Sequence, residues 1–292
     1  MARVLANERG TFADLVEREV VNDILARFEP RPGSCWSGIQ LTTRHIPSVG
    51  FGGDFHHAFP GSEHHHALVV GSVRGQGLGV AFARAILSGE AAKLGNVRRE
   101  PCELVNDLDR SLGHIRADLG GFRVNLSLFH GVVDRSANRL MFCHTGGLCP
   151  MILKNDGQVA DLSVTPSALK DGAGYGTAME SLDLSGIRRL IVCTAGLMEA
   201  RSPTGRTFRE VWEPSLFRDT AGLDADRQAD FVIRTLREHV GADHVFMEDA
   251  TIFTMDWASA KRVSSVREAM QCWLETCEST SSRACDPSVF LG

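Results

Sequence analysis

The residues that could do chemistry are concentrated in one stretch near the start of the chain, Gly52 to Gly79. This stretch is GGDFHHAFPGSEHHHALVVGSVRGQGLG, with one aspartate (Asp54), five histidines around a Pro-Gly-Ser-Glu turn, and a glycine-rich run at 71–77. An aspartate can hold a hard divalent cation, imidazoles favour transition metals, and a glycine-rich loop can present backbone N–H groups to a phosphate. The composition therefore allows a metal site, a phosphate site, or a former catalytic site that has lost its function.

The glycine-rich run GSVRGQG matches neither of the common nucleotide-binding motifs. Its glycines are wrongly spaced for the dinucleotide fingerprint, and it lacks the GK[ST] ending of a P-loop. A loop that leads into a helix could still present backbone N–H groups to a phosphate. On its own, the run is a weak signal.

The histidines around the turn have two interpretations. In a hairpin closed by PGSE, His57 and His66 are approximate cross-strand neighbours, with His56, His64 and His65 nearby. Such a group would favour zinc over magnesium. The alternative, which we favour, is a solvated hairpin tip with some histidines on its exposed face.

The elements that must position these residues predict an α+β fold. Apolar spacing of three and four residues predicts helices at 79–94, from Pro101 onwards, and at 224–240. The buried face of the helix that begins at Pro101 is expected at Leu104, Leu108, Leu112, Ile115 and Leu119. Strand patterns begin at Gly38 and flank the PGSE turn, and further strands are expected at 123–134, 139–146, 150–154, 188–196 and 250–257. Because tight turns join the central strands, we expect antiparallel sheets with helices packed outside them.

Both ends of the chain carry amphipathic helical patterns. The N-terminal stripe, which packs either on the chain's own core or on a partner helix in a homodimer, is Leu15, Val16, Val20, Ile24, Leu25 and Phe28. The sequence after Trp257 predicts one more helix, followed by a frayed tail. We therefore divide the chain into an N-terminal helix and linker (1–30), a main domain (31–257), and a C-terminal helix and tail (258–292).

The composition excludes several classes of protein. The formal net charge of -5 gives no basic surface for nucleic acid, and no apolar run is long enough to span a membrane. The N-terminal sequence lacks the apolar core of a secretory signal, so we expect a cytoplasmic protein. The eight cysteines include no C-x-x-C pair, which indicates reduced thiols and neither zinc ligands nor disulfides.

Five motifs taken together resemble one family. They are GGD at 52–54, GSVRGQG at 71–77, TGGLCP at 145–150, TAGLMEAR at 194–201 and EDAT at 248–251. In this order and at these separations, they resemble the PPM-type metal-dependent serine/threonine phosphatases, in particular the bacterial SpoIIE-like branch. The resemblance covers about residues 12–257. It implies a sandwich of two antiparallel β-sheets flanked by helices, and a pair of Mn²⁺ or Mg²⁺ ions that activate water for attack on a phosphoserine.

The chain departs from the family pattern at the residues that hold those ions. Where the family has a ligand aspartate, a histidine, a second histidine and another ligand aspartate, this sequence has Ser72, Gln76, Gly147 and Ala195. Asp54 is unchanged, Glu248 takes a ligand position, and Asp249 is the acidic residue after it. Hard cations need anionic oxygen ligands, so we expect at most one weak cation site on Asp54, Glu248 and Asp249. Glu199 either supports that site or pairs with Arg201.

These departures favour a pseudophosphatase, with no metal cofactor expected. Such a protein binds a phosphoprotein partner, of the STAS type by analogy with the family, and regulates it without hydrolysis. The alternative is an active protein serine phosphatase that uses Asp54, Glu248 and Asp249 with Mn²⁺ or Mg²⁺ and an altered metal requirement.

Overall fold

The computed structural model describes residues 35–36, 39–60, 64–75, 77–95, 100–118, 123–162, 179–212 and 215–257. The amphipathic helices expected before residue 31 and after residue 257 lie outside these ranges, as does Gln76. None of the described helices is long and apolar enough to cross a lipid bilayer.

The described strands form two sheets in which every pairing is antiparallel. In spatial order the first sheet contains β1 (Cys35–Trp36), β2 (Ile39–Ile46), β11 (Ala250–Asp256), β10 (Ile187–Thr194), β7 (Leu148–Lys154) and β8 (Val159–Asp161). The second contains β3 (Asp54–Pro60), β4 (His65–Arg74), β5 (Asn125–Asp134), β6 (Arg139–His144) and β9 (Glu180–Asp183). This arrangement confirms the predicted α+β fold.

Helices cover the outer face of each sheet. Two long helices, α1 (Leu78–Leu94) and α2 (Pro101–Asp118), pack on the second sheet. The first sheet is covered by α3 (Ala195–Met198), α4 (Phe208–Trp212), α5 (Ser215–Asp219) and α6 (Ala225–Val240). A third apolar cluster fills the space between the two sheets. The result is four layers with three buried interfaces, as expected when each apolar face must be covered.

Local sequence explains where the long helices begin and end. Pro101 opens α2, and the predicted face at Leu104, Leu108, Leu112 and Ile115 is buried, while Leu119 lies outside the described residues. The Asp224 side chain caps α6 by accepting a hydrogen bond from the backbone N–H of Arg227, 2.8 Å away, and Gly241 ends that helix with a φ of 86°.

The strand β5 is buried on both faces. Every residue from Leu126 to Val133 is buried, although the apolar residues of this strand alternate in sequence. The reason is the layered arrangement, since α2 covers one face of β5 and the opposite sheet covers the other.

A buried ion pair joins β10 to β11 within the first sheet, and a hydrogen bond from the same arginine reaches α6. The guanidinium of Arg189 donates to the Asp256 carboxylate through Nε at 2.8 Å and through a second nitrogen, and to Gln228 Oε1 at 2.6 Å. All three side chains are fully buried. Such a pair holds together only when both charges are present, because a lone buried ion keeps the full cost of its lost hydration.

Asp256→Asn should therefore destabilise the protein by about 3–5 kcal/mol, since it leaves Arg189 without its counter-ion. Denaturant unfolding monitored by circular dichroism measures this change. The control is Asp230→Asn, which removes the carboxylate of an exposed pair with Arg44 and should cost less than about 1 kcal/mol. Equal effects of the two substitutions would show that the buried pair contributes no more to stability than an exposed one.

Candidate functional site

Asp54 begins β3 and lies in the interior between the two sheets. It is opposite Ser72 of β4 in the strand register, and its side chain is buried. Its Oδ2 accepts a hydrogen bond from the Thr251 hydroxyl at 2.6 Å, and the hydroxyls of Ser72 and Thr194 also hydrogen-bond to it. Burial, together with the neighbouring Asp249 carboxylate, raises the pKa of Asp54 to about 7.

Asp249, the residue before β11, holds the connection between β2 and β3 through two hydrogen bonds, which we call the clasp. Its Oδ1 accepts from the backbone N–H of Ser48 at 2.8 Å, and its Oδ2 from the backbone N–H of Asp54 at 3.0 Å. Both carboxylate oxygens therefore have a structural role that does not depend on a metal. This clasp also fixes the backbone from which the Asp54 side chain projects.

His45 joins these two carboxylates, although the motifs gave no reason to single it out. It lies on β2, opposite Thr251 of β11. One nitrogen of its ring lies within 4.8 Å of carboxylate oxygens of both Asp54 and Asp249, and Nε2 is 3.9 Å from Asp249 Oδ1. Burial lowers the pKa of His45, so the ring is neutral at neutral pH. Only the register between β2 and β11 reveals this neighbourhood.

Glu248 forms an ion pair outside this buried group. Its Oε1 accepts from Arg74 Nε at 3.1 Å and from a terminal guanidinium nitrogen at 3.0 Å. Glu199 lies 3.5 Å from the same guanidinium. The pairing of Glu199 with Arg201 that the sequence suggested is thus replaced by pairing with Arg74, because Arg201 donates to the carbonyl of Gly205.

Ala195 and Ser72, which stand where the family pattern has ligand aspartates, offer no anionic group. Ala195 is buried at the start of α3 and carries only a methyl group, and Ser72 uses its hydroxyl on Asp54. Two hard cations in close proximity need several anionic oxygens around them. The residues present do not fit a two-cation centre, because two of the expected carboxylates are missing and Glu248 is paired with Arg74.

Gly147, which stands where the family pattern has a histidine, could not carry that side chain here. Its φ is +92°, a left-handed conformation, and a Cβ at this position would lie 2.2 Å from Ser127 Oγ. A histidine would therefore require a strained or altered backbone and a different position of the Ser127 side chain.

The histidines of the β3–β4 hairpin do not form a metal site together. His57 pairs with Val69 and His66 with Pro60, so His57 and His66 project from opposite faces of the sheet. His57 contacts Ser88 Oγ of α1 at 2.9 Å, and burial lowers its pKa to about 4. His56 faces the other sheet, 3.3 Å from Thr43 Oγ1. The expectation that His57 and His66 are cross-strand neighbours is wrong.

A small cavity lies beside Asp54 between the sheets. It is lined by Thr43, His45, Asp54, Phe55, His56, Val70, Thr194, Thr251 and Phe253. Its lining combines hydroxyls, imidazoles and one carboxyl with the apolar residues Phe55, Val70 and Phe253.

Comparison with models of protein families identifies the family of this chain. The family model described as Stage II sporulation protein E (SpoIIE) matches residues 62–258, about two thirds of the chain. The chain belongs to the SpoIIE family. The match covers the glycine-rich run, the TGGLCP and TAG segments and the EDAT motif, and so confirms the resemblance to SpoIIE-like PPM phosphatases.

Solved structures of SpoIIE-like domains share the fold. The SiaA-PP2C domain of Pseudomonas aeruginosa superposes with a TM-score of 0.65 at 21% identity, covering 82% of this chain and 95% of that one. The structure of the PP2C phosphatase domain and a fragment of the regulatory domain of SpoIIE from Bacillus subtilis gives a TM-score of 0.51 at 15% identity, covering 75% and 63%. At these identities the comparison shows the fold and not the activity.

A curated relative is the protein IcfG of a Synechocystis strain. The two are 26% identical over an alignment of 192 residues, and the alignment covers 58% of this chain and 30% of that protein. The chain thus spans less than a third of the length of this relative.

One glycine of the SpoIIE motifs is required by close packing at the site. A Cβ on Gly196, in α3, would lie 2.1 Å from the backbone carbonyl oxygen of Asp249. Any side chain there would push α3 away from the strand that carries the clasp.

Gly196→Ala should therefore destabilise the protein by about 1–3 kcal/mol, as overpacking does, and should disturb the clasp at Asp249. The matched control is Gly89→Ala in α1, where a Cβ meets nothing within 4 Å and helix propensity should add up to about 1 kcal/mol of stability. Thermal and denaturant unfolding of the two variants measure the difference. A Gly196→Ala variant with unchanged stability would show that α3 can move away from the start of β11 at little cost in free energy.

Proposed function

We propose that this SpoIIE-family chain is a cytoplasmic pseudophosphatase domain, which binds a phosphoprotein of a signalling pathway, of the STAS type by family analogy, and regulates it without hydrolysis. The observation that carries the proposal is the charge of the site. Ala195 and Ser72 provide no anionic ligand, and Glu248 is neutralised by Arg74.

The loss of anionic ligands bears directly on the reaction. In a two-cation phosphatase the ions make a bridging water acidic enough to attack phosphorus. A guanidinium cannot replace them, because it offers hydrogen bonds but no vacant coordination position for water. Arg74 offsets one of the two charges of Glu199 and Glu248 without providing a nucleophile.

The outward face of α1 supports a role in binding proteins. Leu78, Phe82 and Ile86 follow one another at intervals of four residues, and about half of each side chain is exposed. Exposed apolar rows of this kind are typical of surfaces that contact another protein. The row begins next to the glycine-rich run, so a bound regulator would lie near the former catalytic centre.

The second candidate function is an active, metal-dependent serine phosphatase with an altered metal site. It is favoured by the proximity of Asp54 and Asp249 in the structure. With Glu248 paired to Arg74, this alternative requires either rearrangement of Arg74 or a different third ligand.

A direct assay distinguishes the two functions. Purified protein is incubated with p-nitrophenyl phosphate, or with a phosphoserine protein, in excess Mn²⁺, Mg²⁺ or Zn²⁺. We expect no metal-dependent turnover above that of the Asp54→Ala variant prepared in the same way. Turnover that requires metal and disappears in Asp54→Ala would establish the alternative.

Restoring the missing charges should restore metal binding. The double variant Ser72→Asp, Ala195→Asp should bind Mn²⁺ at least about tenfold more tightly than the unmodified chain, because it returns two carboxylates to the neighbourhood of Asp54. Isothermal titration calorimetry measures the affinity. Without metal the same variant should have a lower melting temperature, since the added like charges repel each other.

The matched control is Ser72→Asn, Ala195→Asn, which has nearly the same shape without the charge and should gain no affinity. If the aspartate variant binds no better than this control, the pocket differs from a phosphatase centre in shape, and missing charge is not the deciding factor.

A further inference from the structure

We propose that His45, Asp54 and Asp249 form a mononuclear site for a divalent transition metal ion of the zinc type. This site differs from a two-cation centre in its ligand set and in the metal it selects. It goes beyond the proposed function and does not depend on it, because an ion bound there can be structural or regulatory.

The hydrogen bonds around His45 leave the lone pair of its Nε2 atom available to bind a metal. The Thr251 hydroxyl donates to Asp54 Oδ2 at 2.6 Å, so its oxygen can only accept from His45 Nδ1, which is 3.0 Å away. The proton of a neutral ring is therefore on Nδ1, and the lone pair is on Nε2. A second ring nitrogen anchored in this way is the usual arrangement of a metal-binding histidine.

The donor spacing suits a single ion. One ring nitrogen of His45 and one carboxylate oxygen from each of Asp54 and Asp249 lie within 4.8 Å of one another, and Nε2 is 3.9 Å from Asp249 Oδ1. Zinc bonds of about 2.0–2.2 Å place ligand atoms roughly 3.3–3.6 Å apart in a tetrahedral site, so the side chains need to close in by about 1 Å. The side chain of His45 is 36% exposed, which provides both the freedom to move and a path for the ion.

Polar groups around Asp249 can still accept or donate further hydrogen bonds or bind an ion. Each carboxylate oxygen has two lone pairs, so Asp249 can keep its backbone hydrogen bonds while binding an ion. Ser48, whose N–H donates to Asp249, has a buried hydroxyl that forms no hydrogen bond within the described part of the chain. Such a hydroxyl can accept a hydrogen bond from a metal-bound water.

The donor set also selects the ion. One imidazole nitrogen with two carboxylates suits Zn²⁺, Co²⁺ or Mn²⁺, whereas Mg²⁺ prefers oxygen ligands and retains its water. Glu248 is not part of the proposed site, since it is held by Arg74. This difference separates the new site from one built on Asp54, Glu248 and Asp249.

The test uses the full chain, stripped of metal with a chelator, and titrates Co²⁺ alone and Zn²⁺ alone by calorimetry and by the visible absorption of Co²⁺. We expect one ion per chain, with Mg²⁺ unable to compete at equal concentration. His45→Gln should weaken binding at least about tenfold, while Glu248→Gln should leave the affinity unchanged. A variant with His64→Ala and His65→Ala removes the surface histidines as a source of background binding and should retain the site.

Absence of binding to the stripped protein would overturn the proposal, as would equal affinity in His45→Gln or an equal loss in Glu248→Gln. The melting temperature of each variant without metal shows whether it folds. If His45→Gln does not fold, His45→Asn replaces it, and the same loss of affinity is required. Because no phosphatase activity is measured, failure here leaves the proposed function untouched.

Discussion

Two carboxyl groups, Asp54 and Asp249, lie close together in the interior, and the structure around them is arranged to compensate for their charge. Asp249 is stabilised by two backbone N–H groups and Asp54 by hydroxyls from β4, β10 and β11. Burial and the adjacent carboxylate still raise the pKa of Asp54 to about 7. Hydrogen bonds to both carboxyl groups thus offset part of the charge that cations offset in a two-cation centre.

A second group of charges is balanced separately at the surface. Arg74, at the end of β4, contacts both Glu248 and Glu199. Because the guanidinium is covalently attached, its charge is always present and cannot be exchanged for an ion from solution. The site therefore consists of a buried pair, which still has room for a donor such as His45, and an outer cluster in which one guanidinium offsets one of two carboxylate charges. This separation argues against two cations in close proximity while allowing one.

Much of the fold could be predicted from local sequence, since periodicity located α1, α2, α6 and most long strands, and the motif order identified the two-sheet sandwich. Long-range register could not be predicted in this way. His45 meets Thr251 only because β2 pairs with β11, and no local pattern encodes that pairing. The hairpin histidines show the same limit, because a small difference in register placed His57 and His66 on opposite faces. Arg74 was missed because its partners come from the ends of two other segments.

The motif residues that persist do not all indicate chemistry. Gly196 is required by the close approach of α3 to the Asp249 carbonyl, and Asp249 is required by the β2–β3 connection. Both would be needed in a domain that never bound a metal, because the fold itself depends on them. Ser72 and Ala195 occupy positions where a carboxylate would serve only to hold cations, and there the carboxylate is absent. The charge that a two-cation centre needs is therefore missing at the two positions where this chain departs from the family pattern, and that loss supports the proposal of a domain that binds without hydrolysis.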